Sequence, residues 1–257
     1  MPVPVPSPPT FEELVAEGES VPVEGWDFSW FEGRATEECP SWGYSGMVAA
    51  RMAESAAALD IQTGGGEVLA QIPHPPAVLV ATESWPPNVV LARRNMRLLG
   101  ATVVEVHDDA DLPFPVNSFD LIVSRHPTVT RWDEIGRVLR PGGTYLSQQI
   151  GAGSVRELTD FMMGPQPVNQ SRSLQRAASA VEAAGLAVVD LRQESLRKVF
   201  LDVGAVTYFL RKVIWIVPGF TTALYRTQLA QLHDQIQVRG PVVAHAKRFL
   251  IEARKPL

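Results

Sequence analysis

Short apolar runs alternate with helical stretches along most of this chain from Leu59 onward. A run that is apolar along its whole length is typical of a strand buried on both faces of a parallel sheet. The helical windows between such runs imply crossover connections. The pattern therefore predicts an α/β fold with a doubly wound, mostly parallel, seven-stranded sheet. The predicted strands are residues 58–61, 78–82, 102–106, 119–124, 144–149, 187–194 and 242–253, and the predicted helices include residues 88–99, 132–139 and 173–184.

The N-terminal segment of residues 1–57 does not follow this alternation. Five prolines among the first ten residues predict an extended arm over residues 2–10. Residues 11–57 are too aromatic for a linker, and we expect them to form a helical cap over another part of the molecule. The aromatic residues of this cap are Trp26, Trp30, Phe31, Trp42 and Tyr44.

A second segment, residues 200–240, interrupts the alternation between two predicted strands. It is apolar, contains Tyr208 and Trp215, and is broken by a Pro-Gly pair, so we expect a helical lid insertion. The expected organisation is a cap over residues 1–57, a core over 58–199, this lid, and a last strand of the core over 241–257. A substrate cover, additional core and a homodimer surface are the open interpretations of the cap and the lid.

Composition restricts the classes of partner. The 257 residues carry a net charge of −5, so no overall basic field attracts a nucleic acid. Cys39 is the only cysteine, which excludes an intrachain disulfide and a zinc site built from several thiolates. No apolar stretch approaches the ~20 residues of a membrane-spanning helix, and the start lacks the features of a signal peptide. We therefore expect a cytoplasmic protein without a membrane or nucleic-acid partner.

A glycine-rich turn follows the first predicted core strand, at residues 60–67. Consecutive glycines allow the backbone to approach a ligand, and the N–H groups beyond them are free to bind it. The dinucleotide fingerprint fails because its third glycine would fall on Leu69. The phosphate-binding P-loop fails because Glu67 and Val68 stand where Lys and Ser or Thr are required.

The turn resembles motif I of the class I S-adenosylmethionine-dependent methyltransferases, in the type 11-like form found in actinobacteria. The motif has the pattern acid-x-Gly-x-Gly-x-Gly, which Asp60, Gly64 and Gly66 match. Gln62 replaces its first glycine, a departure that puts in doubt how the loop meets the methionine part of the cofactor. Asp60 could alternatively cap the turn through local N–H groups. The resemblance implies a Rossmann-like methyltransferase fold with S-adenosylmethionine as cofactor and S-adenosylhomocysteine as its product.

Further segments match the family at the expected spacing. Glu83 ends the second core strand, where the family's acidic residue holds the ribose hydroxyls, although it could instead be an acid stabilised by a helix N-terminus. By the same resemblance, Asp108 accepts from the adenine amino group and the backbone N–H of Asp109 meets the ring. Residues 117–123 are similar to the strand-four motif, and residues 134–143 to the helix and the Leu-Arg-Pro-Gly-Gly turn ahead of strand five. The implied cofactor-binding residues are Asp60, Gln62, Thr63, Gly64, Gly66, Glu83, Ser84, Asp108, Asp109 and Ser124.

The acidic run around Asp108 could also bind a divalent metal, but it lacks the glycine and glutamate of an EF-hand, and we expect no metal site. His126 follows the fourth core strand, on the side of the fold that faces the sulfonium in this family. Since methylation of a hydroxyl requires a base, His126 is the candidate base and Arg125 a candidate for orienting the acceptor. A loop histidine bonded to backbone, and a surface arginine paired with an acid, are the alternatives.

The acidic balance and the aromatic cap and lid favour a small or medium-sized acceptor. We expect an O-methyltransferase of a sugar or polysaccharide precursor or of a secondary metabolite, in keeping with a composition rich in Ala, Pro and Arg that is typical of a GC-rich bacterium. The alternatives are an rRNA or tRNA base methyltransferase and a non-catalytic protein that binds the cofactor. The candidate substrate residues are Trp42, Tyr44, Tyr208 and Trp215.

Overall fold

A computed structural model describes residues 8–257, so the first seven residues of the predicted N-terminal arm lie outside the described part. The strands are β1 (Ala35–Glu37), β2 (Ala57–Asp60), β3 (Val78–Glu83), β4 (Thr102–Glu105), β5 (Phe119–Arg125), β6 (Leu139–Ile150), β7 (Ala187–Phe200) and β8 (Val242–Arg254). The helices are α1 (Phe11–Ser20), α2 (Tyr44–Glu54), α3 (Pro86–Asn95), α4 (Trp132–Val138), α5 (Arg156–Met163), α6 (Leu174–Ala183), α7 (Val203–Lys212) and α8 (Arg226–Arg239).

The strands form one sheet in the order β1-β7-β8-β6-β5-β2-β3-β4. Strands β2 to β6 pair in parallel, while β8 is antiparallel to both β6 and β7. The chain first builds outward from β2 to β3 and β4, and then crosses to the other side of β2 to form β5. Ligands of open α/β sheets bind at the carboxyl ends of the strands where the order reverses in this way. The topology therefore locates a candidate crevice between β2 and β5.

The predicted number of seven strands is wrong by one. The eighth, β1, contains only three residues and pairs antiparallel with the end of β7, with Ala35 opposite Phe200. Two of its three residues are exposed, so it carries no apolar alternation that a sequence pattern could detect. The added strand joins the predicted cap to the edge of the core sheet.

Two hydrophobic clusters flank the sheet, and a third joins the cap to the lid. One face packs against α2 and α3 around Met52 and Val89, and the other packs against α4 and α6 around Ile135 and Val181. The third cluster brings Leu14 and Phe31 of the cap together with side chains of β7, α5, α7 and α8. The cap and the lid are therefore packed against each other.

Two glycines set the distance between α1 and α7. A Cβ on Gly18 would overlap the carbonyl of Gly204, and a Cβ on Gly204 would overlap the carbonyl of Leu14. The two backbones therefore touch without intervening side chains, which joins the cap and the lid closely. Among the described residues, no helix is long and apolar enough to span a bilayer.

Candidate functional site

A cavity of about 370 Å³ lies where the sheet, the cap and the lid meet. Side chains at the carboxyl ends of β2, β5 and β6 form one wall, and aromatic residues of the cap and lid form the other. The sheet contributes Asp60, Gln62, Thr63, Arg125, His126 and Gln148, and the cap and lid contribute Trp26, Phe28, Phe31, Phe209 and Trp215. The cavity thus lies at the topological switch point of the sheet.

Glu83 organises the glycine-rich turn from the end of β3. Its Oε2 accepts the N–H of Gly64 at 2.7 Å, and its Oε1 accepts the N–H groups of Ser84 and Trp85 at 3.1 and 3.0 Å. The side chain is buried, and burial raises the pKa of Glu83 above its ordinary value. One carboxylate therefore binds both the turn and the start of α3, which is the role that the capping alternative predicted for it.

Asp60 and Thr63 bring polar groups into the same wall. Burial raises the pKa of Asp60 from 3.8 to about 7; the adjacent Thr63 hydroxyl opposes this rise, and the charge of Glu83 adds to it. The Thr63 hydroxyl is buried beside this carboxyl, and among residues 8–257 it makes no hydrogen bond of good geometry. An unpartnered buried hydroxyl is costly unless a ligand completes it. A polar ligand beside Asp60 would satisfy both groups.

Gln62, the departure from motif I, has a local structural role. Its φ of 58° lies in the left-handed region. Glycine, which the motif has at this position, adopts that conformation most readily. Its Nε2 donates to the carbonyl of Val129 at 2.6 Å, and its Oε1 accepts the N–H of Thr128 at 2.6 Å. The amide therefore ties the glycine-rich turn to the loop after β5.

A narrow crevice of about 20 Å³ lies on the other side of Gln62. Asp108 and Ser124 line it. The Asp108 carboxylate accepts from the Thr128 hydroxyl, and the Ser124 hydroxyl bonds to the Tyr145 hydroxyl. The Asp109 side chain is exposed and lies 2.5 Å from Nδ1 of His107. Asp108 therefore lines this crevice, whereas the Asp109 side chain bonds His107 at the surface.

His126 is held by a chain of hydrogen bonds that defines its protonation. Its Nε2 lies 2.9 Å from Nε2 of Gln148, and Oε1 of Gln148 accepts the indole N–H of Trp42 at 2.8 Å. An indole nitrogen only donates, so it fixes the orientation of the Gln148 amide, whose NH₂ then donates to the imidazole. His126 is therefore a neutral ring with its proton on Nδ1. It also has a φ of 56°, an uncommon conformation that occurs at functional sites.

The electrostatic surroundings also favour a neutral ring. Burial, and after it the charges of Arg248, Arg125 and Arg172, lower the pKa of His126 well below its ordinary 6.5. Arg248 lies on β8, Arg125 at the end of β5 and Arg172 before α6, so the positive charge comes from several elements. At neutral pH the imidazole is therefore neutral, and its Nε2 lone pair accepts the hydrogen bond from Gln148.

The four aromatic candidates for substrate contact divide into two pairs. Tyr44 and Trp215 line the cavity, and Tyr44 donates to the carbonyl of Ser124 at 2.8 Å. Trp42 is buried in the core beside α2, and Tyr208 is buried in the cap and lid cluster with its hydroxyl bonded to the carbonyl of Asp27. Neither is among the residues that line the cavity.

Several cavity residues were not predicted from the sequence. Trp26 packs directly on the glycine-rich turn, because a Cβ on Gly64 would overlap its indole ring. Its backbone N–H donates to Glu67 at 2.8 Å, which anchors the cap on this turn. Gln148 and Arg248 could have been found from the sequence, since each is a polar residue within a predicted apolar strand. Glu37 and Lys198 had none, because they meet through β1, which was not predicted.

No group of three or more His, Cys, Asp or Glu side chains in the described part of the chain is arranged to hold a metal ion.

Comparison with known proteins finds one matching family model and a group of solved structures with a similar fold. A family model described as a methyltransferase domain matches residues 59–147. No curated protein sequence matches the chain.

Solved structures with a similar fold cover nearly the whole chain. A protein of Bacillus halodurans described as a candidate methyltransferase has a TM-score of 0.60 at 18% identity, covering 84% of this chain and 99% of that one. The YcgJ protein of Bacillus subtilis has a TM-score of 0.59 at 20% identity, covering 83% and 98%. A Haloferax volcanii complex of the Trm112 methyltransferase activator with a candidate methyltransferase has a TM-score of 0.52 at 21% identity, covering 89% and 92%. Residues 59–147 are therefore similar to a methyltransferase domain, and the chain shares the fold of these solved structures.

Proposed function

We propose that this protein transfers the methyl group of S-adenosylmethionine to a hydroxyl of a small or medium-sized acceptor. The observation that carries the proposal is the cavity of about 370 Å³, which joins the glycine-rich turn to His126 and is enclosed by the cap and the lid. A volume of this size suits a small organic molecule. It gives no room for a folded nucleic acid, which agrees with the net charge of −5.

We propose that residues of the turn and the crevice hold the cofactor. Glu83 would accept from the ribose hydroxyls, Asp108 would accept from the adenine amino group, and Asp60 and the unpartnered Thr63 hydroxyl would meet the methionine part. When bound, the cofactor supplies a methyl group on a positively charged sulfur. Because that methyl is already activated, the protein has chiefly to align the acceptor and exclude water.

His126 is the proposed base for the acceptor hydroxyl. Its Nε2 lone pair accepts from the Gln148 amide in the structure, at 2.9 Å. We propose that the acceptor hydroxyl replaces this amide at Nε2, where the neutral ring takes its proton as the oxygen attacks. Arg125, at the end of β5, would orient the acceptor.

The two alternatives have weaker support. An RNA base methyltransferase would need a basic surface for phosphates, which the composition does not provide. A non-catalytic cofactor-binding protein was suggested by Gln62 in place of a glycine, but Gln62 adopts the left-handed conformation that a glycine would have. The departure from the motif is therefore compatible with a working turn.

Binding of S-adenosylhomocysteine by calorimetry tests the proposal. We expect micromolar-range affinity for the unaltered protein and at least ~30-fold weaker binding for Glu83→Ala, as expected from the loss of ~2 kcal/mol of charge-assisted bonding. Glu54→Ala, which removes an exposed carboxylate near the end of α2, is the matched control and should bind normally. Circular dichroism verifies that each variant is folded. Absence of binding by the unaltered protein would refute the proposed function.

A further inference from the structure

A cluster of positive charge lies in the cavity away from the glycine-rich turn. Glu37 of β1 sits between Lys198 of β7, with Nζ 2.8 Å from its Oε2, and Arg248 of β8, with Nη2 2.7 Å from its Oε1. Lys198 and Arg248 are only 5% and 9% exposed. All three residues line the cavity. Burying two cations against one carboxylate leaves positive charge in a poorly solvated place, which costs free energy.

Arg125 adds a third cation to this cluster. Although burial alone would raise the pKa of Glu37, the charges of Arg248, Lys198 and Arg125 lower it below its ordinary value. Unlike the other two cations, Arg125 is exposed, and its guanidinium makes no hydrogen bond or ion pair with a side chain of residues 8–257. Three cations therefore surround one carboxylate, and one of them is available to a ligand.

The acidic residues of the cavity are divided between its two ends. Asp60 lies at the end of β2, and Glu67 accepts the backbone N–H of Trp26 at the glycine-rich turn, in the part of the cavity proposed for the cofactor. Glu37 and Glu38 lie beside β7, where Glu38 accepts the backbone N–H of Arg197. The three cations on β5, β7 and β8 therefore have two carboxylates beside them.

A neutral donor in the lid points to the same kind of ligand. The indole nitrogen of Trp215 is buried and has no hydrogen-bond partner among the described residues. Trp215 also lines the cavity, and the Arg172 guanidinium lies 5.8 Å from the centre of its ring. An indole nitrogen only donates, so the missing partner is an acceptor atom.

Apolar side chains lie beside this cluster. The ring centres of Phe31 and Phe209 lie 5.4 and 4.7 Å from Nζ of Lys198, and Val213 and Ile216 also line the cavity. We infer that the methyl acceptor is a carboxylic acid with an apolar or aromatic body. Its carboxylate would complete the charge of Arg125, Lys198 and Arg248, and its body would pack on the cap and lid. A monoanion is favoured over a phosphate dianion because Glu37 lies in the same cluster and an apolar wall makes each additional charge costly. The inference rests on the proposed function.

A matched pair of probes tests the charge preference. Benzoate and benzamide have the same shape and differ in charge, and their affinities are measured by calorimetry with and without saturating S-adenosylhomocysteine. We expect benzoate to bind at least ten times more tightly than benzamide. In Arg125→Gln that ratio should fall below three, whereas Arg94→Gln, an exposed arginine of α3, should keep it. Equal affinities, or no binding of either probe, would overturn the inference, as would tighter binding of phenyl phosphate than of benzoate.

The affinity for S-adenosylhomocysteine separates this inference from the proposed function. If the cofactor product fails to bind while benzoate keeps its advantage, the proposed function fails and the anion site stands. If the cofactor product binds and benzoate has no advantage, only the inference fails. If Arg125→Gln weakens both ligands by the same factor, the cluster serves the carboxylate of the cofactor, and the inference is again overturned.

Discussion

At the scale of single residues, Asp60 has the most informative environment. Its carboxyl is buried at the end of β2, and burial raises its pKa from 3.8 to about 7. The amino group and sulfonium of S-adenosylmethionine are positively charged and would favour the ionised carboxylate. Asp60 should therefore lose its proton when the cofactor binds.

This linkage predicts a pH-dependent affinity. Below pH 7 the binding free energy must also cover deprotonation of Asp60, so we expect S-adenosylmethionine to bind about ten times more weakly at pH 6 than at pH 8. Calorimetry at several pH values measures the dependence. The Asp60→Asn variant has no ionisable group at this position, so its profile shows how much of the pH dependence comes from the cofactor's own amino group. If the unaltered protein and the variant had parallel profiles, Asp60 would not be the linked group.

Gln148 provides a second prediction at this scale. Its amide donates to Nε2 of His126 because its oxygen is occupied by Trp42. In Gln148→Glu a carboxylate oxygen would face Nε2, so we expect the pKa of His126 to rise by at least about one unit and the ring to gain a proton on Nε2. Nitrogen chemical shifts of the labelled imidazole measure both changes.

Gln149→Glu is the matched control for this substitution. The neighbouring side chain contacts Tyr145 and not His126, so the titration of His126 should stay as it is in the unaltered protein. An unchanged titration in Gln148→Glu as well would contradict the hydrogen-bond chain inferred for Trp42, Gln148 and His126.

Some residues of the site could be predicted from the sequence and others could not. Asp60 could be singled out because it belongs to a short local motif, and it lines the cavity; Glu83 could be singled out because it ends an apolar strand, and it bonds the glycine-rich turn. The role of Gln148 could not be predicted because Trp42, which orients its amide, is 106 residues away in the sequence. Only the pairing of β5 with β6 brings His126 and Gln148 together.

At the scale of elements, the parallel half of the sheet was the predictable part. The predicted strands corresponding to β2 to β5 agree with the observed ones to within one residue at each end, because continuous apolar runs mark them. The long strand β7 continues six residues beyond its predicted end at residue 194, since it is half exposed and lacks such a run. Residues 140–143, predicted as a turn, continue into β6 with a register shift opposite β5.

The contact between α1 and α7 gives a prediction at the element scale. In Gly18→Ala the new methyl group would overlap the Gly204 carbonyl, so we expect a loss of about 1–3 kcal/mol in the free energy of unfolding. Gly46→Ala in α2 is the opposite control, because nothing lies within 4 Å of its Cβ position. That variant should gain about 0.5–1 kcal/mol from helix propensity. Urea unfolding measures both, and equal effects of the two substitutions would contradict the close helix contact.

At the scale of the whole molecule, the cavity depends on segments distant in sequence. The cap precedes the core and the lid interrupts it, yet both supply aromatic walls to one cavity and share one hydrophobic cluster. The aromatic content predicted only that each segment packs against something. It gave no sign that they pack against each other, because that contact joins α1 to α7 and neither carries a local motif for it.

The shared cluster predicts that the cap and the lid open together. Leu14 is 4% exposed in α1 within this cluster, and a buried Leu→Ala change costs about 2–5 kcal/mol. In Leu14→Ala we therefore expect amide hydrogen exchange to accelerate by at least about tenfold in both α1 and α7, while α3 exchanges as before. Val89→Ala, in the separate cluster beside α3, should give the reverse pattern. Acceleration confined to α1 would mean that the lid holds its place on the sheet without the cap, and the cavity would then have two independent covers.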